Sequence, residues 1–305
     1  MARTSEHFKQ SPNPILRIIM QDVLTAWQTT ALPTIVAGVV LILAFLLFLG
    51  KVQFSTPNMP DNDGFYHIKM AEIMRLEGLK PDFPWLPLTI LNPREFYNHH
   101  FLFHVALIPF TLGDLRLGAK FAAVVFAGLA FLMIWWLLKS QRVPYAFLWA
   151  LGLLAISEAF IYRMSITRAL SLSLLLLVLG FHWLLTGRRR RLAFLGFIFV
   201  WAYNGFPLII ALAGIYATAV WLVERRLDLR PVLFTVVGVA AGLIINPYFP
   251  HNLVFIIQHI LPKLMDATSI SVGNEWFPYT TAQLLVNSPF ALLAFISGAL
   301  ALGLS

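Results

Sequence analysis

The chain has 305 residues, of which 59% are hydrophobic and 12% charged, and it contains no cysteine. A soluble domain carries about 25% charged residues, so a water-exposed globule is excluded, and so are disulfides and thiolate metal sites. The net charge of +8 reads as lysine and arginine anchoring loops at a membrane face, and no nucleic-acid partner is expected.

Residues 1–31 read as a cytoplasmic interfacial arm. Ile15, Ile19 and Val23 recur every fourth position, flanked by Leu16 and Leu24, which is the pattern of a helix lying in the membrane surface. Residues 32–305 read as one all-α, polytopic transmembrane module of about eight helices. The first apolar run, Leu32 to Gly50, has no small-residue cleavage site and is expected to be a retained span. A long first outer loop, 51–120, holds Asp61-Asn62-Asp63-Gly64-Phe65-Tyr66-His67. It continues through Pro81, Pro84, Pro87 and Pro93 to a half-apolar piece opening Tyr97-Asn98-His99-His100-Phe101, expected to be an interfacial helix. Further spans are expected at 121–138, 145–162 and 169–186. The stretch 192–223 is divided in two at Asn204-Gly205-Phe206-Pro207, and the last two spans fall at 232–245 and 284–304. A late outer loop, 246–283, precedes the final span.

The charge distribution supports this count. With the N-terminus inside, the short cytoplasmic segments hold 12 basic residues against Glu6, Asp22, Glu224 and Asp228, whereas the outer segments mix 10 basic with 10 acidic residues. The same count puts Asp61, Asp63, His67, His99, His100, Arg163, Arg168, His251 and Glu275 on one outer face, the pattern of a single site at the water–membrane boundary.

Asp63 heads a predicted helix, and two readings stay open for it: an N-cap or a catalytic acid. His67 lies one turn further along the same face. Asp61 reads as a solvated loop carboxylate. Glu275 sits in the late outer loop beside Trp276, where a solvated carboxylate and a functional acid are both admissible. Carboxylates with imidazoles suit Mg2+ or Mn2+, so Asp63, Glu275, His67, His99 and His100 are the candidate ligands of a divalent cation polarising a phosphate. Arg163 and Arg168 either snorkel or grip a lipid-linked phosphate. Tyr66, Asn98 and Trp276 complete the substrate-binding candidates, while His182 is assigned to helix packing.

These stretches carry a resemblance. Asp63-Gly64-Phe65-Tyr66-His67-Ile68-Lys69 resembles the Asp-x-aromatic-Tyr-x-x-basic signature of oligosaccharyltransferase catalytic subunits. Ser271-Val272-Gly273-Asn274-Glu275-Trp276-Phe277-Pro278 resembles their later Ser/Thr-Val-x-Glu motif with one residue inserted. Tyr162-Arg163 and Trp201-Ala202-Tyr203-Asn204-Gly205-Phe206 look like further family segments, and the likeness runs over residues 32–305. The chain is also similar to the wider C-type superfamily of polyprenyl-phosphate-sugar-dependent membrane glycosyltransferases. The resemblance implies Asp63 and Glu275 as metal or acceptor-side acids, and Arg163 beside the lipid phosphate.

Two departures stand out: Ile166 to Ser173 lacks the family's acidic pair, and no acceptor-reading domain follows the last span. The expectation is therefore sugar transfer in general, from a polyprenyl-(pyro)phosphate donor at the outer face of the membrane, by an inverting and metal-assisted reaction. The rival readings are a transporter or flippase for a lipid-linked or small anionic solute, and an inactive lipid-carrier-binding relative.

Overall fold

The computed structural model describes residues 31–89, 92, 94–261 and 280–303. The interfacial arm expected at 1–31 lies, save its last residue, outside the described residues, as do Glu275 and Trp276. Among the described residues the fold is all-α, with no strand.

Helix α1 (Ala31–Gln53) is apolar on every side and buries one stripe, Leu41, Phe45 and Leu49, at four-residue spacing. That stripe packs on α4 (Leu115–Ser140), where Phe45 meets Phe131 edge to face at 5.4 Å and Trp135 closes the layer. Lys120 of α4 is only 1% exposed, and its ammonium donates to the carbonyls of Gln53 and Thr56 at 3.1 and 2.5 Å. A helix C-terminus leaves its last carbonyls without intrahelical partners; here a buried lysine supplies them. Between α1 and α4 the chain forms α2 (Asp63–Glu77) and the short α3 (Phe101–Leu107), continued by a 3-10 turn, Ile108–Thr111. Ile68 and Ala71 of α2 pack with Phe103 and Leu107 of α3 and Ala119 and Ala122 of α4.

The second half contains α5 (Ala146–Gly152), α6 (Glu158–Ser165), α7 (Leu170–Leu185), α8 (Arg191–Ala202), α9 (Pro207–Glu224) and α10 (Arg230–Ile244). It ends with α11 (His251–Phe255), α12 (Thr281–Asn287) and α13 (Pro289–Gly303). Helices α8 and α10 cross almost backbone to backbone: a Cβ on Gly238 would run into the Ala193 carbonyl. Small residues at such crossings let membrane helices exchange dispersion contacts that lipid tails cannot match. His182 on α7 is buried and bonds Ser140 of α4 at 3.0 Å, a packing role.

Helix occupies every segment expected as a span, but the count of eight needs correcting. Among the described residues three helices, Pro33–Gln53, Leu115–Ser140 and Pro207–Glu224, are long and apolar enough to cross a bilayer, or up to five if each of two bent pairs is one span. The bends fall between Ala146–Ala155 and Glu158–Ser165 (88°) and between Thr281–Asn287 and Pro289–Leu300 (97°). Ser157 starts a new helix by accepting from the Phe160 N–H, and Pro289 cannot continue the helix before it. The two breaks meet: the Ser157 hydroxyl donates to the Asn287 carbonyl and accepts from Ser288. Helices α7, α8 and α10 have 16, 12 and 15 residues, short of the roughly 20 a hydrocarbon core requires. The long apolar helices make this a membrane protein by composition and length.

Candidate functional site

The site is built where α2 meets the turn between α6 and α7. That turn is pinned from two directions: Thr167 donates to the Ala119 carbonyl of α4 at 3.0 Å, and Ser171 reaches back to the Met164 carbonyl at 3.2 Å. Gly64 lets the turn come close, since a Cβ there would strike Met59 and lie 3.3 Å from Thr167. The Tyr162 hydroxyl donates to the Pro60 carbonyl at 3.0 Å, holding the approach to α2 against α6.

With these surfaces joined, Arg168 projects onto the start of α2. Its Nε and Nη2 donate to the two oxygens of Asp61 at 2.6 and 2.9 Å, and Nη2 also lies 2.9 Å from Asp63 Oδ2. Asp61 is therefore not a solvated loop carboxylate; its side chain is 12% exposed and it takes the planar fork bidentately. Burial pushes the Asp61 carboxyl upward. The hydrogen bonds and charge of Arg168, with the Asp63 N–H, outweigh this and hold it below the usual carboxylate range. Asp63 caps no helix with its side chain. Of its two open readings, the N-cap is set aside.

Behind the clamp lies a buried histidine cluster with a determinate proton arrangement. Asn98 Oδ1 accepts from the His100 backbone N–H at 3.3 Å, which fixes which amide atom points that way. The same oxygen lies 2.8 Å from His104 Nδ1, so His104 Nδ1 carries a proton and donates. Burial holds His104 far below the ordinary histidine range, hence neutral, with Nε2 an acceptor. His67 Nδ1, 2.8 Å from that nitrogen, must be the donor. Burial, with His99 and Arg168 nearby, lowers His67 itself to about 3, so it is neutral and its Nε2 is a bare lone pair.

One cavity of about 720 Å³ joins these parts. Asp63, His67, His99, His100, Arg168, Tyr203 and Asn204 give it a polar end, and Phe160, Met164, Leu170, Leu174 and Leu177 of α6 and α7 give it an apolar wall. Arg163 also lines it, and no carboxylate pairs with Arg163 among the described residues. Arg168, by contrast, is compensated by two aspartates, so the fork expected to grip a phosphate is occupied, whereas Arg163 meets no carboxylate among the described residues.

Five of the predicted site residues besides His99 thus converge on one cavity: Asp63, His67, His100, Arg163 and Arg168. Two do not line it. Tyr66 is one residue before His67 on the helix and so about 100° round it; it faces a separate apolar concavity with Met70, Phe83 and Trp85. Asn98 is 1% exposed and stands behind the histidines as the acceptor for His104, not in the cavity. His104 was missed altogether. Phe101-Leu102-Phe103-His104-Val105-Ala106-Leu107 reads as an apolar packing segment, and its spacing from Asn98 was the one available signal.

The divalent-ion ligands expected from the sequence include Glu275, which lies outside the described residues. No three His, Asp or Glu among the described residues are grouped to hold such an ion. The carboxylates of Asp61 and Asp63 already face the Arg168 guanidinium, and His67 Nδ1 is engaged by His104.

No protein-family model matches the chain, and neither does any curated protein or solved structure.

Proposed function

We propose that the chain is an integral-membrane glycosyltransferase moving a sugar or oligosaccharide from a polyprenyl-(pyro)phosphate donor to an acceptor, with its cavity opening on the extracytoplasmic side. The observation that supports this reading is the amphiphilic cavity, whose lining joins apolar and polar side chains to Arg163, a guanidinium with no carboxylate partner among the described residues. An anion with a long apolar tail is the ligand such a lining selects. The phosphate lies against Arg163 and the first isoprene units run along Phe160, Leu170, Leu174 and Leu177.

The anomeric carbon then faces Asp63, whose carboxylate is 56% exposed. Asp63 takes the proton of the acceptor nucleophile as its bond to the anomeric carbon forms. The bond from that carbon to the phosphate oxygen breaks, and the phosphate departs with the electron pair toward Arg163. A single displacement inverts the anomeric centre. Arg168 holds Asp63 in place, a positioning task. The resemblance adds Glu275 as a metal or acceptor-side acid.

The test is transfer of labelled sugar from a polyprenyl-phosphate donor by the chain reconstituted in vesicles. Asp63→Asn and Arg163→Gln are each expected to lower turnover by 100-fold or more, on the order of what one transition-state electrostatic contact supplies. Full turnover in the double variant overturns the reading; donor binding without any transfer identifies an inactive carrier-binding protein instead.

A further inference from the structure

The histidine end of the cavity has a chemistry that transfer at Asp63 does not use. His67 lines the cavity, and its Nδ1 is committed to His104. Its Nε2 is therefore the ring nitrogen left for a ligand, and it can only accept. His100 lines the same end, stacked on Tyr203 at 5.5 Å, and its Nδ1 is buried with no hydrogen-bond partner among the described residues. A buried polar atom without a partner is costly, and a bound hydroxyl would satisfy it. Asn204 adds an amide with both a donor and an acceptor.

We propose that His67, His100 and Asn204, with the Tyr203 ring as a wall, form the subsite for the sugar ring of the donor. A ring bearing several hydroxyls supplies the donor that His67 Nε2 requires and partners for the other two. A second cation is repelled by the Arg168 guanidinium in the same lining, and an aliphatic group satisfies none of the three. Asn98 and His104 are the positioning residues: they set the His67 tautomer and never touch the sugar. This assignment rests on the carrier-phosphate reading of Arg163 and names what lies at the opposite end of the same cavity.

The experiment measures binding of farnesyl phosphate, and of farnesyl phosphate bearing mannose, glucose, galactose or arabinose, to the full chain in nanodiscs. At least one glycosylated form is expected to bind roughly tenfold more tightly than farnesyl phosphate, the increment of one or two well-made hydrogen bonds. His67→Phe is expected to erase that preference while leaving farnesyl phosphate binding within about twofold, and Arg163→Gln to weaken all the probes alike. Histidine 15N spectra of the unaltered chain give a second readout that needs no variant to fold: His67 is expected as the Nδ1–H tautomer, shifted by the glycosylated probe and not by farnesyl phosphate. Equal binding of all five probes, a preference that survives His67→Phe, or an Nε2–H tautomer overturns the subsite alone. Failure of farnesyl phosphate itself to bind overturns the carrier-phosphate reading, and the subsite with it.

Discussion

The buried histidines tie the molecule's stability to pH in a direction that can be worked out. His67, His100 and His104 are all held below their ordinary value by burial, so each stays neutral when folded and takes a proton near pH 6.5 when unfolded. Below that pH the unfolded chain binds more protons, and stability falls as pH falls, by up to about 1.4 kcal/mol per pH unit for each group. The melting temperature is expected to drop steeply from pH 7 to pH 5, and replacing His104 with Gln should flatten the slope. A flat profile in the unaltered chain contradicts the cluster. Asp61 has the same sign in a lower window: its carboxyl is held low by Arg168, so its contribution is complete above about pH 4 and is lost as pH falls below that. Asp61→Asn at neutral pH is expected to cost about 1–3 kcal/mol, as charged hydrogen bonds do. It should also take one of the two carboxylates from Arg168, leaving Asp63, and tighter binding of inorganic phosphate by that variant would report the lost compensation. None of this was visible in the local sequence. Asp61 reads as a loop acid because its partner lies 107 positions away, and His104 reads as filler among phenylalanines.

Among the elements, the close crossing of α8 and α10 is the most sensitive joint. Gly238 meets the Ala193 backbone, and the Trp201 indole donates to the Gly242 carbonyl at 2.9 Å. Gly238→Val forces two helix axes apart, and a loss of roughly 1–3 kcal/mol is expected from overpacking, read as a lower midpoint in detergent-resistance melts. Gly64 is a different case, because a Cβ there meets Met59 and Thr167, the latter in the turn carrying Arg168. Gly64→Val is expected to reduce sugar transfer more than it reduces melting temperature, through loss of the Arg168–Asp61 fork; unchanged transfer would mean the fork is dispensable. The helices themselves were legible, since apolar runs and Pro or Gly breaks are local signals. The bends at Ser157 and Ser288 were not. A continuous apolar run predicts one straight span, and what stabilises these breaks is their hydrogen bonding to each other across 130 positions.

For the whole molecule, the open quantity is how the helices sit across the bilayer. Arg168 precedes α7 and the run Arg188 to Arg191 follows it, so the length of that helix separates the cavity from the basic cluster by roughly 24 Å. The positive-inside bias then predicts the cavity outside and the arginines inside. Because the chain has no cysteine, single cysteines placed at Asn62 and Arg190 give a clean assay with a membrane-impermeant maleimide: Asn62 should label from outside and Arg190 only after permeabilisation. Labelling of both from one side would refute the outward-facing cavity.

Hydropathy and charge determined that this is an all-helical membrane protein, because burial in lipid restricts composition residue by residue, and residue chemistry named the charged and imidazole side chains that line its cavity. Only the tertiary structure decided which arginine is silenced by carboxylates and which is left open, and which nitrogen of His67 carries its proton. Those outcomes depend on partners distant in the chain, and a charge is cancelled or left exposed only by what packs within a few ångströms of it.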